Sequence, residues 1–148
     1  MLRQLQLEEM DAAALVHRTA FDQALPWLSG RHTRDEDRWF FREHVFTSCE
    51  VWGAFESDAM TGMIAFRNGW IDQLYVLPQA QGRGVGTALM ERAKSTYDRL
   101  QLWTFQRNAR ARCFYEAKGF VLVEQTDGTK NEEKEPDARY LWIHPQPS

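Results

Sequence analysis

The sequence predicts an α/β protein built on a central mixed, mostly antiparallel sheet flanked by about four helices, and three observations predict it. Helix-like patterns fill the first third of the chain. Three strand-like runs then follow one another from Val51 to Val76 with only short turns between them. From Gly84 onward, helical periodicity alternates with short strands, as a βαβ crossover requires. With 148 residues, of which 43% are hydrophobic, the chain is expected to form one domain spanning residues 1–148.

Element by element, "LRQLQL" alternates like a first strand, and Glu8 to Ala24 reads as a helix. Thr33 to Val45 reads as a second helix, opened by a capping box in which Thr33 is followed three residues later by Glu36. The loop "LPWLSGRH" separates the two. "VWGAFES", "MTGMIAFRN" and "WIDQLYV" are strands joined at Ser57-Asp58 and at Asn68-Gly69, the latter a strong hairpin signal. Val85, Leu89 and Ala93 share one stripe of a helix running from Gly84 to Tyr97, and "LQLWTF" is the next strand. "NARARCFYEAKGF" is a helix with Asn108 as N-cap and Gly119 as its stop. "FVLVEQ", a polar loop and a final strand "ARYLWIH" close the chain.

Composition excludes several classes. The net charge of −3 gives no electrostatic footprint for nucleic acid, although "RNARAR" is locally basic. No apolar run is long enough to cross a membrane. The N-terminal "MLRQLQLEEMDAAALV" carries acidic residues where a signal peptide has an apolar core, so a cytoplasmic location is expected. Cys49 and Cys113 are far apart, with no CxxC and no histidine at ligand spacing, which predicts two ordinary thiols and no metal site.

The stretch "LYVLPQAQGRGVGTALMERA" raises the question of function. A strand that meets Pro78 must stop, and the helix that follows begins among Gly82, Gly84 and Gly86. Amides at such a helix start point outward together with the helix dipole behind them, which makes an anion site open to a phosphate or pyrophosphate. GxGxxG fails, because Thr87 and Leu89 stand where its third glycine would be, and GxxxxGK[ST] fails for want of a Gly-Lys pair. The signature that does match is Q/R-x-x-G-x-G/A, here Gln81, Gly84 and Gly86. With the second block "NARARCFYEAKGF", it resembles the GNAT acyltransferase superfamily, whose β–α–α–β–β–β–α–β–α–β–β layout also matches the element order above.

That resemblance implies an N-acetyltransferase that moves acetyl from acetyl-CoA to a primary amine by direct attack, without a metal. Main-chain groups of Leu74, Tyr75 and Val76 would pair with the pantetheine arm. Amides of Gln81, Gly82, Arg83, Gly84, Val85, Gly86 and Thr87 would hold the pyrophosphate, and Asn108 would bond the pantetheine amides while also serving as a helix cap. The Val76 N–H would stabilise the thioester oxyanion. Tyr115 would protonate the departing thiolate, since a phenol with a pKa of about 10 keeps its proton until a thiolate of about 8.5 needs it; the alternative is a half-buried core aromatic. Asp72 would assist deprotonation of the amine, and alternation would place it on the face of Trp70, Leu74 and Val76; the alternative is a surface aspartate. Trp27, His32, Trp39 and Tyr140, with Asp72, would wall the site for a small polar or peptide amine. No nucleophile stands out, because Cys113 lies mid-helix with no histidine near it in sequence. An inactive acyl-CoA sensor and a nucleic-acid-binding protein are the rival readings, neither nucleic acid nor membrane is an expected partner, and a homodimer stays open.

Overall fold

In the computed structural model, which describes residues 1–145, the chain runs β1 (Leu2–Gln4), α1 (Met10–Ala24), α2 (Arg34–Phe40), α3 (Phe46–Ser48), β2 (Glu50–Glu56), β3 (Ala59–Arg67), β4 (Trp70–Val76), α4 (Val85–Thr96), β5 (Arg99–Phe105), α5 (Ala109–Ala117), β6 (Val121–Gln125) and β7 (Asp137–Ile143). The expected layout is there, with a mixed, mostly antiparallel sheet and four helices longer than a single turn, α3 being one turn only. The strands lie side by side in the order β1-β2-β3-β4-β5-β7-β6.

Local signals account for most boundaries. Thr33 caps α2 by accepting from the Glu36 N–H (3.1 Å), while Glu36 Oε1 accepts from the Thr33 N–H (2.7 Å), so two orphan donors are satisfied reciprocally. Asn68 and Gly69, at φ +51° and +81°, make the two-residue hairpin between β3 and β4. The second helix departs from expectation. Instead of running evenly to Val45, it passes into a π-helical turn over Phe41–Val45 before α3, and the turn's two end residues, Phe41 and Val45, are both buried.

The sheet is covered on both faces. β3 shows why: its run Met63-Ile64-Ala65-Phe66 is almost completely buried, with Met63 and Ala65 packing toward α1 and the π turn. Ile64 and Phe66 join Leu89, Met90 and Ala93 of α4 on the other face. A strand buried on both sides must be apolar at consecutive positions, as this one is.

One seam in the sheet stays open. β4 and β5 are parallel and share a single registered pair, Trp70 with Gln101, whereas β5 is paired along its whole length with β7. Beyond that pair the two strands diverge, and the gap is the floor of a cleft of about 920 Å³.

Candidate functional site

The cleft is bounded by β4 from Ile71 to Val76, β5 from Leu102 to Phe105, the C-terminal end of α1, the glycine turn and the start of α5. β4 presents main chain to it. The Leu77 N–H donates to Thr61 O (2.8 Å), so alternate amides of this antiparallel ladder turn toward β3 and those between turn away. Val76 is one that turns away. Its carbonyl accepts from Gln81 Nε2 (3.0 Å), and its N–H faces the open seam.

The turn beyond Pro78 uses its three glycines in two ways. Gly82 and Gly84 have φ of +79° and +84°, a region L side chains avoid, and a Cβ on either would meet nothing within 4 Å. Gly86 is instead a point of close packing: a Cβ there would lie 3.2 Å from Cζ of Phe114. It lets α4 seat against α5 and leaves no spare room, so of the three glycines at this helix start only Gly82 and Gly84 are open to a ligand. The amides of Gly82 to Thr87 find no hydrogen-bond acceptor among the described residues, and Gly84 is the N-cap of α4. The turn is an array of outward-facing donors at a helix start.

α5 supplies the opposite wall. Asn108 caps it by accepting from the Ala111 N–H (3.2 Å), which orients the helix so that Ala111, Phe114 and Tyr115 reach the cleft. Burial pushes the Tyr115 phenol up to about 12, and its hydroxyl has no hydrogen-bond partner among the described residues. The ring packs against Phe120 and Tyr140, so Tyr115 belongs to the core and to the cleft at once.

Free amides, a strand edge turned outward and a protonated phenol thus meet around one opening in the sheet. The acetyltransferase (GNAT) domain model matches residues 47–122, half of the chain. The chain belongs to the GNAT acetyltransferase family. It is 26% identical over 125 residues to the peptidyl-lysine N-acetyltransferase YiaC of Escherichia coli (strain K12), a match covering 84% of this chain and 85% of that protein. The fold superposes on apo YjaB from Escherichia coli with a TM-score of 0.82, at 22% identity over 98% of both chains. It also matches the PaiA N-acetyltransferase of Thermoplasma acidophilum in complex with coenzyme A, with a TM-score of 0.70 and 18% identity over 97% of this chain and 98% of that one.

Within this GNAT fold several expected site residues stand elsewhere. Tyr140 is completely buried; its hydroxyl accepts from Arg112 Nε (2.9 Å) and donates to Glu116 Oε2 (2.7 Å), which makes it a core residue and not part of an acceptor wall. Trp39 is an exposed surface residue with its ring edge on His44. His32 pairs with Glu132 (3.0 Å) and Trp27 donates to Glu135 (3.2 Å), so both brace the β6–β7 loop and neither lines the cleft. The Arg83 side chain extends toward Glu56 (3.7 Å), away from the cleft, and the Val85 side chain packs into the core.

Asp72 lines the cleft but does not share a face with Leu74 and Val76. A register shift pairs Phe66 with Ile71 and Ala65 with Gln73, leaving Asp72 as the extra residue of a bulge and giving Ile71 the inward position. Its carboxylate accepts from Arg67 Nε (2.6 Å) and from the Cys49 thiol (3.5 Å). Burial first, and the Asp72 charge next, push that thiol up to about 12, and neither cysteine lines the cleft. Among the described residues no group of His, Cys, Asp and Glu could hold a metal ion, and no helix is long and apolar enough to cross a membrane.

The basic run "RNARAR" is mostly consumed inside the protein. Arg107 binds Glu135 through two hydrogen bonds (2.7 and 2.9 Å) and lies over the Trp27 ring; Arg112 holds Tyr140. Arg110 alone of the three reaches the cleft without a partner among the described residues. Sequence reasoning missed Gln73, Phe105, Arg110 and Glu133, all of which line the cleft. β-strand alternation in "WIDQLYV" could have found Gln73, but only if the bulge were visible.

Proposed function

We propose that this GNAT chain transfers acetyl from acetyl-CoA to a primary amine of a small polar molecule or peptide by direct attack. The observation that carries the reading is the row of unbonded amides from Gly82 to Thr87 opening onto the same seam as the Val76 N–H and the Tyr115 hydroxyl. The amides and the α4 dipole hold the pyrophosphate, and the exposed edge of β4 at Leu74 to Val76 pairs with the pantetheine arm. Arg110 adds a positive charge to that end of the cleft, and Asn108 lies beside it.

When the amine attacks the thioester, the Val76 N–H receives the charge that develops on the carbonyl oxygen. Tyr115 then gives its proton to the departing thiolate. Its phenol suits this because burial keeps it protonated well past neutrality. Asp72, held at the bulge by Arg67, takes the amine's proton through water. Direct attack is favoured over an acyl-enzyme on a cysteine because neither Cys49 nor Cys113 lines the cleft. The acceptor range includes lysine side chains, in keeping with the peptidyl-lysine activity in the name of the Escherichia coli relative.

The test is CoA release over a panel of amines, run with the parent protein and with Tyr115→Phe. The parent should release CoA with at least one amine. The variant should bind acetyl-CoA as before while kcat falls by roughly 10²–10⁴-fold, the usual worth of a general acid. A variant rate within twofold of the parent's, measured where chemistry limits turnover, would make Tyr115 a packing residue.

A further inference from the structure

The side of the cleft facing α1 carries polar groups that nothing in the protein satisfies. Three carboxylates line the cleft. Asp72 pairs with Arg67 (2.6 Å), and Asp137 accepts from Asn131 Nδ2 (3.2 Å) and from the Thr126 hydroxyl. Glu133, half-buried on the β6–β7 loop, has neither an ion pair nor a hydrogen bond among the described residues. Its neighbours are tied down: Arg31 donates to the Glu132 carbonyl (3.0 Å), His32 pairs with the Glu132 carboxylate, and Glu135 holds Arg107 and Trp27. The loop is thus fixed on both sides of Glu133 while the Glu133 carboxylate is left free.

Two groups on β4 share that condition. Gln73 and Tyr75 lie two residues apart and so on one face, and Tyr75 packs with the residues beneath α1. Gln73 Oε1 is shut off from solvent with no donor, and the Tyr75 hydroxyl has no partner among the described residues. Burial first, then the nearby Tyr115 and Glu133, raise the Tyr75 phenol above its ordinary range, so it stays neutral. The set is a carboxylate, an amide oxygen and a phenol oxygen, three acceptors that would match the three N–H donors of an alkylammonium.

We propose that Glu133 is a specificity-determining residue which, with Gln73 and Tyr75, forms a subsite for a second, non-reacting ammonium group of the acceptor. The preferred acceptor is then a primary amine carrying another positive charge a few carbons away. The bystander group is the one engaged, because a carboxylate that grips an ammonium raises its pKa and would hold a reacting nitrogen in its non-nucleophilic form. This inference rests on the acetyl-transfer reading above.

The experiment compares 1,4-diaminobutane with 4-aminobutan-1-ol, which has the same chain with one ammonium replaced by a hydroxyl, in the parent and in Glu133→Gln. Acetyl-CoA affinity is measured alongside by calorimetry. The parent should favour the diamine in kcat/KM by about tenfold or more, the worth of one charge-assisted hydrogen bond. Glu133→Gln should reduce that preference to within about threefold, mostly through KM. A parent with bound acetyl-CoA that does not favour the diamine, or that acetylates neither amine, overturns the inference alone. An equal loss of kcat for both amines in Glu133→Gln, with an altered pH–rate profile, also overturns it by making Glu133 the base. Failure of acetyl-CoA to bind removes the underlying reading and this inference with it.

Discussion

His17 shows what a single residue contributes that its spacing in the sequence does not reveal. Its ring lies among Tyr75, Phe41 and Phe21, with centroids 4.5, 5.2 and 5.6 Å away, and Nδ1 has no partner. Burial first, and the Arg18 charge next, lower its pKa to about 4. The unfolded chain takes up this proton near the ordinary value of about 6.5 and the folded protein only near 4, so between these values the unfolded state binds more protons. Stability is therefore fully present above about pH 6.5 and falls as the pH drops toward 4, by up to about 3 kcal/mol for this one group. His17→Phe keeps the aromatic packing and removes the titration. Urea unfolding at neutral pH and near pH 4.5 should show a smaller acid loss in the variant, and parallel losses would contradict this role. Asn108 was legible as the N-cap that the structure shows, whereas Tyr115 was singled out only by the resemblance of "NARARCFYEAKGF" to the GNAT block. Tyr140 was not legible: "ARYLWIH" fixes which residues share a face, but Tyr140 and Leu141 are both apolar enough for either face to be the core.

At the scale of elements, the turn between β4 and α4 was legible as a glycine-rich helix start with outward-facing amides, which the structure has, but the division of labour among its glycines was not. Positive φ at Gly84 and the helix contact at Gly86 are different demands that glycine alone meets, and a string of letters does not separate them. Gly84→Ala and Gly84→Glu make a matched pair, since both pay about 1–2 kcal/mol for a left-handed backbone and only the second brings a carboxylate to the free amides. Calorimetry should find acetyl-CoA binding largely kept in Gly84→Ala and lost in a folded Gly84→Glu; equal affinities in the two would show that phosphate does not sit there. The bulge at Asp72 was hidden for a related reason. Strict alternation assigned it to the face of Leu74 and Val76, and a one-residue register shift between two strands leaves no mark in the sequence of either one.

For the whole molecule, the order of elements and the mixed sheet could be read from periodicity and turn chemistry, but not which seam of the sheet would open. That depends on lateral pairing: β5 gives its full ladder to β7 and a single pair to β4, and the cleft is the consequence. The same pairing brings the β6–β7 loop, from far along the chain, to the side of the cleft where Glu133 stands. The central claim is that acetyl-CoA binds in this seam, with its pyrophosphate on the glycine turn and its thioester at the end of β4. Titrating acetyl-CoA into isotope-labelled protein while following backbone amide chemical shifts tests it most directly. The largest changes should fall on the amides from Gly82 to Thr87 and on Val76, with little change in β1 and β6 at the two edges of the sheet. Shifts concentrated away from the turn and the β4 edge, or no saturable shifts at all, would contradict the account.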